Sequence, residues 1–215
     1  MRIDVSDASS RRFPSPDVTA ASADPPEPWR PENRLVAGFI GAPTRIPSAL
    51  SELECNAVIR VAATSRVVVA GLARPIEGYR QGAARQLTFG SETAWLYRRI
   101  SDLFEVSNQW YRYRIAAIAE PLLYCEYLCE GKFDWHVDCG EAPNGTRKLS
   151  LSIQLSGASE YEGGGLEFAP NGELHNARSV GTAVVFPSFT WHRITKVAWG
   201  VRRSLVAWAH GPTFS

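Results

Sequence analysis

Phe133-Asp134-Trp135-His136-Val137-Asp138 is the stretch on which the fold and the chemistry of this chain turn. It reads as a strand. On an extended strand residues i and i+2 point to one face, so the His136 imidazole and the Asp138 carboxylate project side by side into one space. Such a pair is two thirds of the 2-His-1-carboxylate set that holds non-heme Fe(II) and leaves half of the coordination sphere open. Alone, His-x-Asp is a weak signal. A second histidine and a receptor for a bound acid are needed.

Working outward toward the C-terminus, Phe186-Pro187-Ser188-Phe189-Thr190-Trp191-His192 supplies the second histidine, at the start of a strand that follows a Pro-containing turn. Ten residues on, Arg202 and Ser204 again share one strand face, with Arg203 pointing the other way. A guanidinium fork with a hydroxyl beside it is a receptor for a carboxylate. One pocket would then offer three metal ligands and one carboxylate clamp. A dicarboxylic α-keto acid fits both: its keto-acid end chelates the metal and its far carboxylate meets Arg202. The remaining histidines, His175 and His210, read as a turn residue and a packed or solvated one.

Upstream, residues 1–31 hold six of the 14 prolines and many Ser, Ala and Asp, and are expected to be a flexible tail. Residues 32–215 are expected to form a single domain. Leu35–Ile40 reads as a first strand. Ser51-Glu52-Leu53-Glu54 is a capping box with Leu50 and Cys55 as its staple, predicting a helix over about 52–64 that buries Leu53, Ala57, Val58 and Val61. Val67–Ala70 reads as a strand. Residues 74–90 read as a loop whose Arg74, Arg80 and Arg85 either meet an acidic substrate or are solvated. A second helix is predicted near 92–107, with Leu96, Ile100, Leu103 and Phe104 buried and Arg98, Arg99 and Asp102 wet.

After Trp110, strands are predicted at Tyr111–Ile118, Leu122–Leu128, Phe133–Asp138, Lys148–Ser156, Leu166–Phe168, Ala183–Phe186, Trp191–Val197 and Arg203–Ala209. Helices followed by a run of strands make an α+β chain, and about eight short strands suggest a double-sheet jelly roll. Within 148–156, Ser150, Ser152 and Gln154 share one face while Leu149, Leu151, Ile153 and Leu155 share the other. A polar pocket face backed by an apolar face against helices is what a metal site inside a jelly roll requires.

The 215 residues suffice for one sizeable core. A net charge of +1 implies no polyelectrolyte partner. No apolar run is long enough to span a bilayer, and Arg11-Arg12 is followed by Pro-Ser-Pro-Asp, so no export signal is expected. Cys55, Cys125, Cys129 and Cys139 form no Cys-x-x-Cys pair; free thiols in a reducing cytoplasm are expected.

Several motifs together resemble the Fe(II)- and 2-oxoglutarate-dependent dioxygenases, prolyl 4-hydroxylase-like branch. They begin with Tyr127-Leu-Cys-Glu-Gly131-Lys-Phe133-Asp-Trp-His136-Val-Asp138 and continue through Arg147-Lys-Leu-Ser-Leu-Ser-Ile-Gln154-Leu155 and Tyr161-Glu-Gly163-Gly164-Gly165-Leu166-Glu167-Phe168. Gly181-Thr-Ala-Val-Val-Phe186-Pro187 then leads to His192 and Arg202. The resemblance spans roughly 120–212. It implies a double-stranded β-helix, a jelly-roll variant, with the N-terminal helices packed on the major sheet. By the same resemblance His136, Asp138 and His192 are the iron ligands and Arg202 holds the distal carboxylate of 2-oxoglutarate. Tyr127 and Ser150 line the co-substrate pocket, and Ser204 assists the clamp. Three departures stand out: one extra residue before Gly131, Phe133 in place of a tyrosine, and Gly165 where an acidic residue is usual.

The resemblance implies Fe(II), 2-oxoglutarate and O2, and admits ascorbate as a reductant. It implies hydroxylation of an unactivated C–H on a peptide, protein or amino-acid substrate, prolyl residues being the best-known target, with release of succinate and CO2. A carboxylate at Asp138 occupies the position a halide would need, which argues against a halogenase. Nucleic-acid demethylation of the AlkB kind shares the triad, but the near-neutral charge and the lack of a basic-aromatic strip argue against it. A different metal enzyme on a cupin-like barrel would leave Arg202-x-Ser204 without a role. A non-catalytic binding module would leave both clamp and triad without one.

Overall fold

The computed structural model describes residues 41–68, 79–140, 144–170, 172–174 and 177–214. The expected tail, the expected strand over Leu35–Ile40, Val69, Ala70, Arg74 and His175 lie outside them.

Ser51 caps α1 (Glu52–Thr64). Its hydroxyl accepts the Glu54 N–H at 3.2 Å while the Glu54 carboxylate accepts the Ser51 N–H at 2.7 Å, so the box predicted from the sequence forms. Leu50 and Cys55, the two ends of the staple, are both buried. The buried stripe differs from expectation: it is Cys55, Val58 and Ala62, and Leu53 is 81% exposed. At 100° per residue Leu53 stands about 200° from Cys55, on the far side of the helix. Ser51→Ala removes one half of the box and is expected to cost about 1 kcal/mol, read as a lower urea midpoint at unchanged m-value.

α2 (Ala94–Tyr111) buries Leu96, Ile100, Leu103 and Phe104, as its periodicity predicts. Arg99 is not simply wet; it spans to the Glu54 carboxylate (2.9 Å) and the Ala49 carbonyl (2.8 Å), tying α2 to the start of α1. The helix runs past the expected end, to Arg112 in the left-handed region (φ 57°). The strand expected over Tyr111–Ile118 does not form. The Asn108 side chain takes the Tyr113 N–H and donates to the Tyr113 carbonyl, doing locally what a strand partner would do. A single bridge, Ala117 to His210, remains.

The remaining elements are strands: β1 (Thr44–Ile46), β2 (Val67–Val68), β3 (Arg80–Gln81), β4 (Ala83–Leu87), β5 (Leu122–Tyr127), β6 (Lys132–His136), β7 (Arg147–Gln154), β8 (Tyr161–Gly163), β9 (Leu166–Phe168), β10 (Gly172–Glu173), β11 (Ala183–Pro187), β12 (His192–Ile194), β13 (Val197–Gly200) and β14 (Arg202–His210). They form a major sheet in the order β1-β11-β7-β14-β5-β4-β2, a minor sheet β10-β9-β12-β6-β3 and a ribbon β13-β8. Every pairing is antiparallel.

Two of these elements lie in the segment read as a loop. Ala83–Leu87 carries no β-branched residue, yet pairs with β5 along its whole length. Tertiary pairing overrides weak local preference there. The stretch expected as one strand, Trp191–Val197, is divided. The Val197 N–H donates to the Gly131 carbonyl and its own carbonyl accepts from Glu130, which draws the chain out of the minor sheet into the ribbon.

The alternation along β7 sets the layers. Leu149, Leu151, Ile153 and Leu155 pack with the buried faces of α1 and α2 on the outer side of the major sheet. Leu149, Leu151 and Ile153 are fully buried and stabilise by roughly 1.5–3 kcal/mol each. A one-residue slip would put Ser150, Ser152 and Gln154 under the helices instead, so this register is strongly fixed. The inner faces of both sheets enclose a second cluster that includes Tyr127, Leu166, Phe168, Val184 and Phe186. The site opens beside it.

Candidate metal centre

β6 and β12 are neighbours in the minor sheet, and their register sets His136 directly opposite His192. Asp138 stands two residues beyond the end of β6, so the strand predicted over Phe133–Asp138 is shorter than expected. Its place is held by backbone instead: the Asp138 and Cys139 N–H groups both donate to the Ser188 carbonyl, at 2.8 and 3.0 Å. Arg147 adds a hydrogen bond to the Asp138 carbonyl (3.2 Å), with its guanidinium clasped by the Glu120 carboxylate and lying 3.8 Å over the Trp208 ring. The carboxylate thus projects to the histidines although the strand has ended.

The His136 Nε2 lies 3.7 Å from one Asp138 oxygen and the His192 Nε2 lies 3.6 Å from the other. One donor atom from each of the three residues falls within 4.8 Å of the others. Nδ1 of His136 is 2.7 Å from the Asp134 carbonyl and Nδ1 of His192 is 2.9 Å from the Thr190 carbonyl. A carbonyl can only accept, so each Nδ1 carries the proton and each Nε2 presents a lone pair inward. Burial, then the adjacent His192 ring, pushes the His136 pKa down to about 4, which keeps that imidazole neutral. Two ring nitrogens and a carboxylate are aimed at one point. A cation satisfies all three, so the donor set fits a metal of the non-heme Fe(II) kind.

The Ser150 hydroxyl, fully buried, donates to Asp138 Oδ2 at 2.6 Å and lies 3.0 Å from the Ser188 hydroxyl. Burial would raise the Asp138 pKa; the two imidazoles, the Ser150 hydroxyl and the Trp208 indole N–H outweigh it and hold the carboxyl below its ordinary value. The indole Nε1 is buried without a partner at hydrogen-bonding distance, so its contribution to that carboxyl is one of field and not of a formed bond. Phe133 stacks on the His136 ring with centroids 3.6 Å apart, and Phe186 meets the His192 ring edge-on at 4.7 Å. Both fix the imidazole planes.

The triad lines a cavity whose walls include Tyr127, Phe133, Phe186 and Ser204. A second, smaller space adjoins it; Ser152 and Leu166 line both. Arg202 lines this second space, is 97% buried, and donates to the Ser204 hydroxyl at 3.1 Å. Gly164, at φ +59°, makes room for it: a Cβ there would stand 3.0 Å from the Arg202 Cδ. Arg203 faces the other way and pairs with Glu126 and Glu160. Tyr127 is buried across from Arg202 on β5, and burial pushes its pKa up to about 12.

The structure therefore gathers His136, Asp138, His192, Tyr127 and Ser204 around one cavity, with Arg202 at the adjoining one. Ser150 is set behind Asp138 and does not line the metal cavity. Trp191 is 54% exposed and Trp135 carries the Arg193 guanidinium 4.7 Å over its ring; neither lines the metal cavity. Several lining residues, Cys125 and Trp208 among them, had no place in the sequence reading of the site. Trp208 could have been found, since Arg202, Ser204, Val206 and Trp208 share one face of β14. Arg80 was visible only as a loop arginine. Arg85 from that same segment is structural, donating to the Ser65 carbonyl at 3.1 Å.

Comparison with solved structures shows what this framework is. It superposes on a Pseudomonas putida prolyl-4-hydroxylase with a TM-score of 0.61 at 17% identity, covering 80% of this chain and 94% of that one. A prolyl hydroxylase from Trichoplax adhaerens, in complex with a hypoxia inducible factor oxygen degradation domain peptide fragment, gives 0.65 at 15% identity, covering 78% and 83%. The fold is the double-stranded β-helix, with α1 and α2 on its major sheet.

Residues 122–210 match the family model described as 2OG-Fe(II) oxygenase superfamily. A PKHD-type hydroxylase from Synechococcus sp. (strain CC9311) is 34% identical over 80 residues, 37% of this chain and 36% of that protein. The match thus spans about a third of the length of the curated relatives. Residues 122–210 are thus similar to the 2OG-Fe(II) oxygenases, a family named for Fe(II) and 2-oxoglutarate, on a fold shared with prolyl hydroxylases. Among the described residues no helix is long and apolar enough to cross a membrane.

Proposed function

We propose that this protein is a hydroxylase that couples oxidative decarboxylation of 2-oxoglutarate to hydroxylation of an unactivated C–H in a peptidyl residue, prolyl residues among them, or in a free amino acid. The observation that carries the reading is the inward convergence of two Nε2 lone pairs and the Asp138 carboxylate beside a buried arginine-serine pair. His136, Asp138 and His192 would hold the iron; Arg202 and Ser204 would hold the distal carboxylate of the keto acid. When bound, iron and 2-oxoglutarate together supply the O2 chemistry, one oxygen atom going to succinate as CO2 leaves and the other to the substrate carbon.

The chain's own residues bind, orient and exclude water. Carbonyls of Asp134 and Thr190 accept from Nδ1 of each ring, which leaves Nε2 of each as the nitrogen facing the cavity. Ser150 engages one Asp138 oxygen and leaves the other free to bind. Phe133, Phe186, Ile194 and Val206 form an apolar wall, which strengthens each polar contact made inside it. The peptide in the Trichoplax structure supports a peptidyl substrate.

The test is an anaerobic titration of the full chain with Fe(II) and then 2-oxoglutarate. A visible charge-transfer band that needs both additions is expected. Folded, metal-loaded protein that gives no band would remove 2-oxoglutarate as co-substrate. Admitting O2 should then release succinate in step with hydroxylated product once peptides and amino acids are screened.

A further inference from the structure

Arg80 reaches the metal cavity from β3, which pairs with β6 so that Arg80 stands opposite Phe133. Its guanidinium lies 4.6 Å over the Phe133 ring, on the residue that also stacks on His136. Its hydrogen bond in the cavity goes to the Cys125 Sγ at 3.4 Å. A thiol sulfur is a weak acceptor, and among the described residues the buried Nε has no partner. A guanidinium cannot shed its charge. Arg80 is therefore a half-buried cation with one buried donor left over, facing Cys125, Tyr127 and the Asp138 carboxylate, an arrangement that a second anion would complete.

The register shows where that anion would sit. Cys125 stands directly opposite Ser204, and Tyr127 opposite Arg202, in the β5–β14 pairing. Residues so paired lie about 4.5–5.5 Å apart. Arg80 touches Cys125 while Arg202 touches Ser204. The two guanidiniums approach one small polar patch from the two sheets, and both interact with Cys125 and Tyr127. Arg202 alone offers a carboxylate one fork; with Arg80 the carboxylate has a donor set for each of its oxygens.

We propose that Arg80 is a second arginine of the co-substrate receptor, binding the distal carboxylate of 2-oxoglutarate together with Arg202. This rests on the reading of the site as a 2-oxoglutarate site. It makes the segment read as a loop part of the binding site, although it lies outside residues 122–210. It also makes the receptor selective for a dicarboxylic keto acid, because a keto acid that ends in methyl would leave the buried Arg202 and the half-buried Arg80 without a carboxylate between them.

The experiment compares two ligands on the full chain loaded anaerobically with Fe(II): 2-oxoglutarate and 2-oxopentanoate, which has the same carbon count and no distal carboxylate. Affinities come from the charge-transfer band and from calorimetry on Mn(II)-loaded protein. Arg80→Ala is expected to weaken 2-oxoglutarate on the order of 10- to 100-fold and to leave 2-oxopentanoate within about twofold. Arg80→Lys should recover part of the loss. Unchanged 2-oxoglutarate affinity in Arg80→Ala would overturn the proposal, as would equal weakening of both ligands, which marks a general distortion. If Arg202→Ala loses 2-oxoglutarate while Arg80→Ala keeps it, only the role of Arg80 fails. If wild-type protein binds neither keto acid, the site reading fails and the proposal with it.

Discussion

Asp138→Ala is expected to abolish iron-dependent turnover and to lower Fe(II) or Mn(II) affinity by about 10³-fold or more. Loss of a partner that merely orients a ligand costs about 10–100-fold, and Asp138 is itself the anionic donor, so its removal costs more. The two imidazoles that would remain bring no negative charge and cannot balance a divalent cation in a buried cavity. Folding should survive. The backbone bonds of residues 138 and 139 to the Ser188 carbonyl do not use the side chain, and Ser150 keeps the Ser188 hydroxyl as a partner. Calorimetric metal titration and a thermal melt of the metal-free protein check both halves. Turnover retained with normal metal affinity would sink the triad assignment; a lost melt transition would mean that Asp138 serves the fold.

What made the site legible is that strand geometry turns spacing into direction. His136 and Asp138, Arg202 and Ser204, and Ser150, Ser152 and Gln154 were each placed on an inward face by a period of two. The structure follows that period along β7 and β14. The helices were legible for a different reason: capping chemistry is local, and Ser51 with Glu54 suffices to start α1 where it starts.

Most of the misses are non-local. Leu53 points to solvent because Cys55, Val58 and Ala62 form the stripe that meets the sheet, and nothing in the sequence between 50 and 64 chooses between the two faces decisively. β3 and β4 exist because β6 and β5 offer them edges. The Tyr111–Ile118 segment has strand-like composition but is served by the Asn108 side chain. Arg80 joins the site through a strand pairing across 53 positions of sequence, from Arg80 to Phe133. No spacing rule reaches that far. Asp138 shows the same point from the other side: the period placed it correctly, while the backbone that holds it there belongs to Ser188 and Arg147.

The second large effect concerns Arg202. Arg202→Ala is expected to weaken 2-oxoglutarate by about 100-fold or more while leaving metal affinity within a few-fold. The side chain is 97% buried, so its carboxylate contact would be made out of water, where charge-assisted bonds are strongest. It lies away from the three metal donors, lining the adjoining cavity, which is why the metal should be spared. Arg202→Lys should restore only a small part, since an ammonium cannot reproduce a fork that binds both a carboxylate and the Ser204 hydroxyl at 3.1 Å. Arg203→Ala is the internal control. Its side chain pairs with Glu126 and Glu160 at partly exposed positions, so it should leave 2-oxoglutarate binding unchanged and move stability by less than about 1 kcal/mol. Titrating all three variants anaerobically, with metal first and keto acid second, separates the two steps. If Arg202→Ala bound the keto acid normally and Arg203→Ala did not, the clamp would lie one residue further along β14 and on its opposite face, and the inward direction assigned to Arg202 would be wrong.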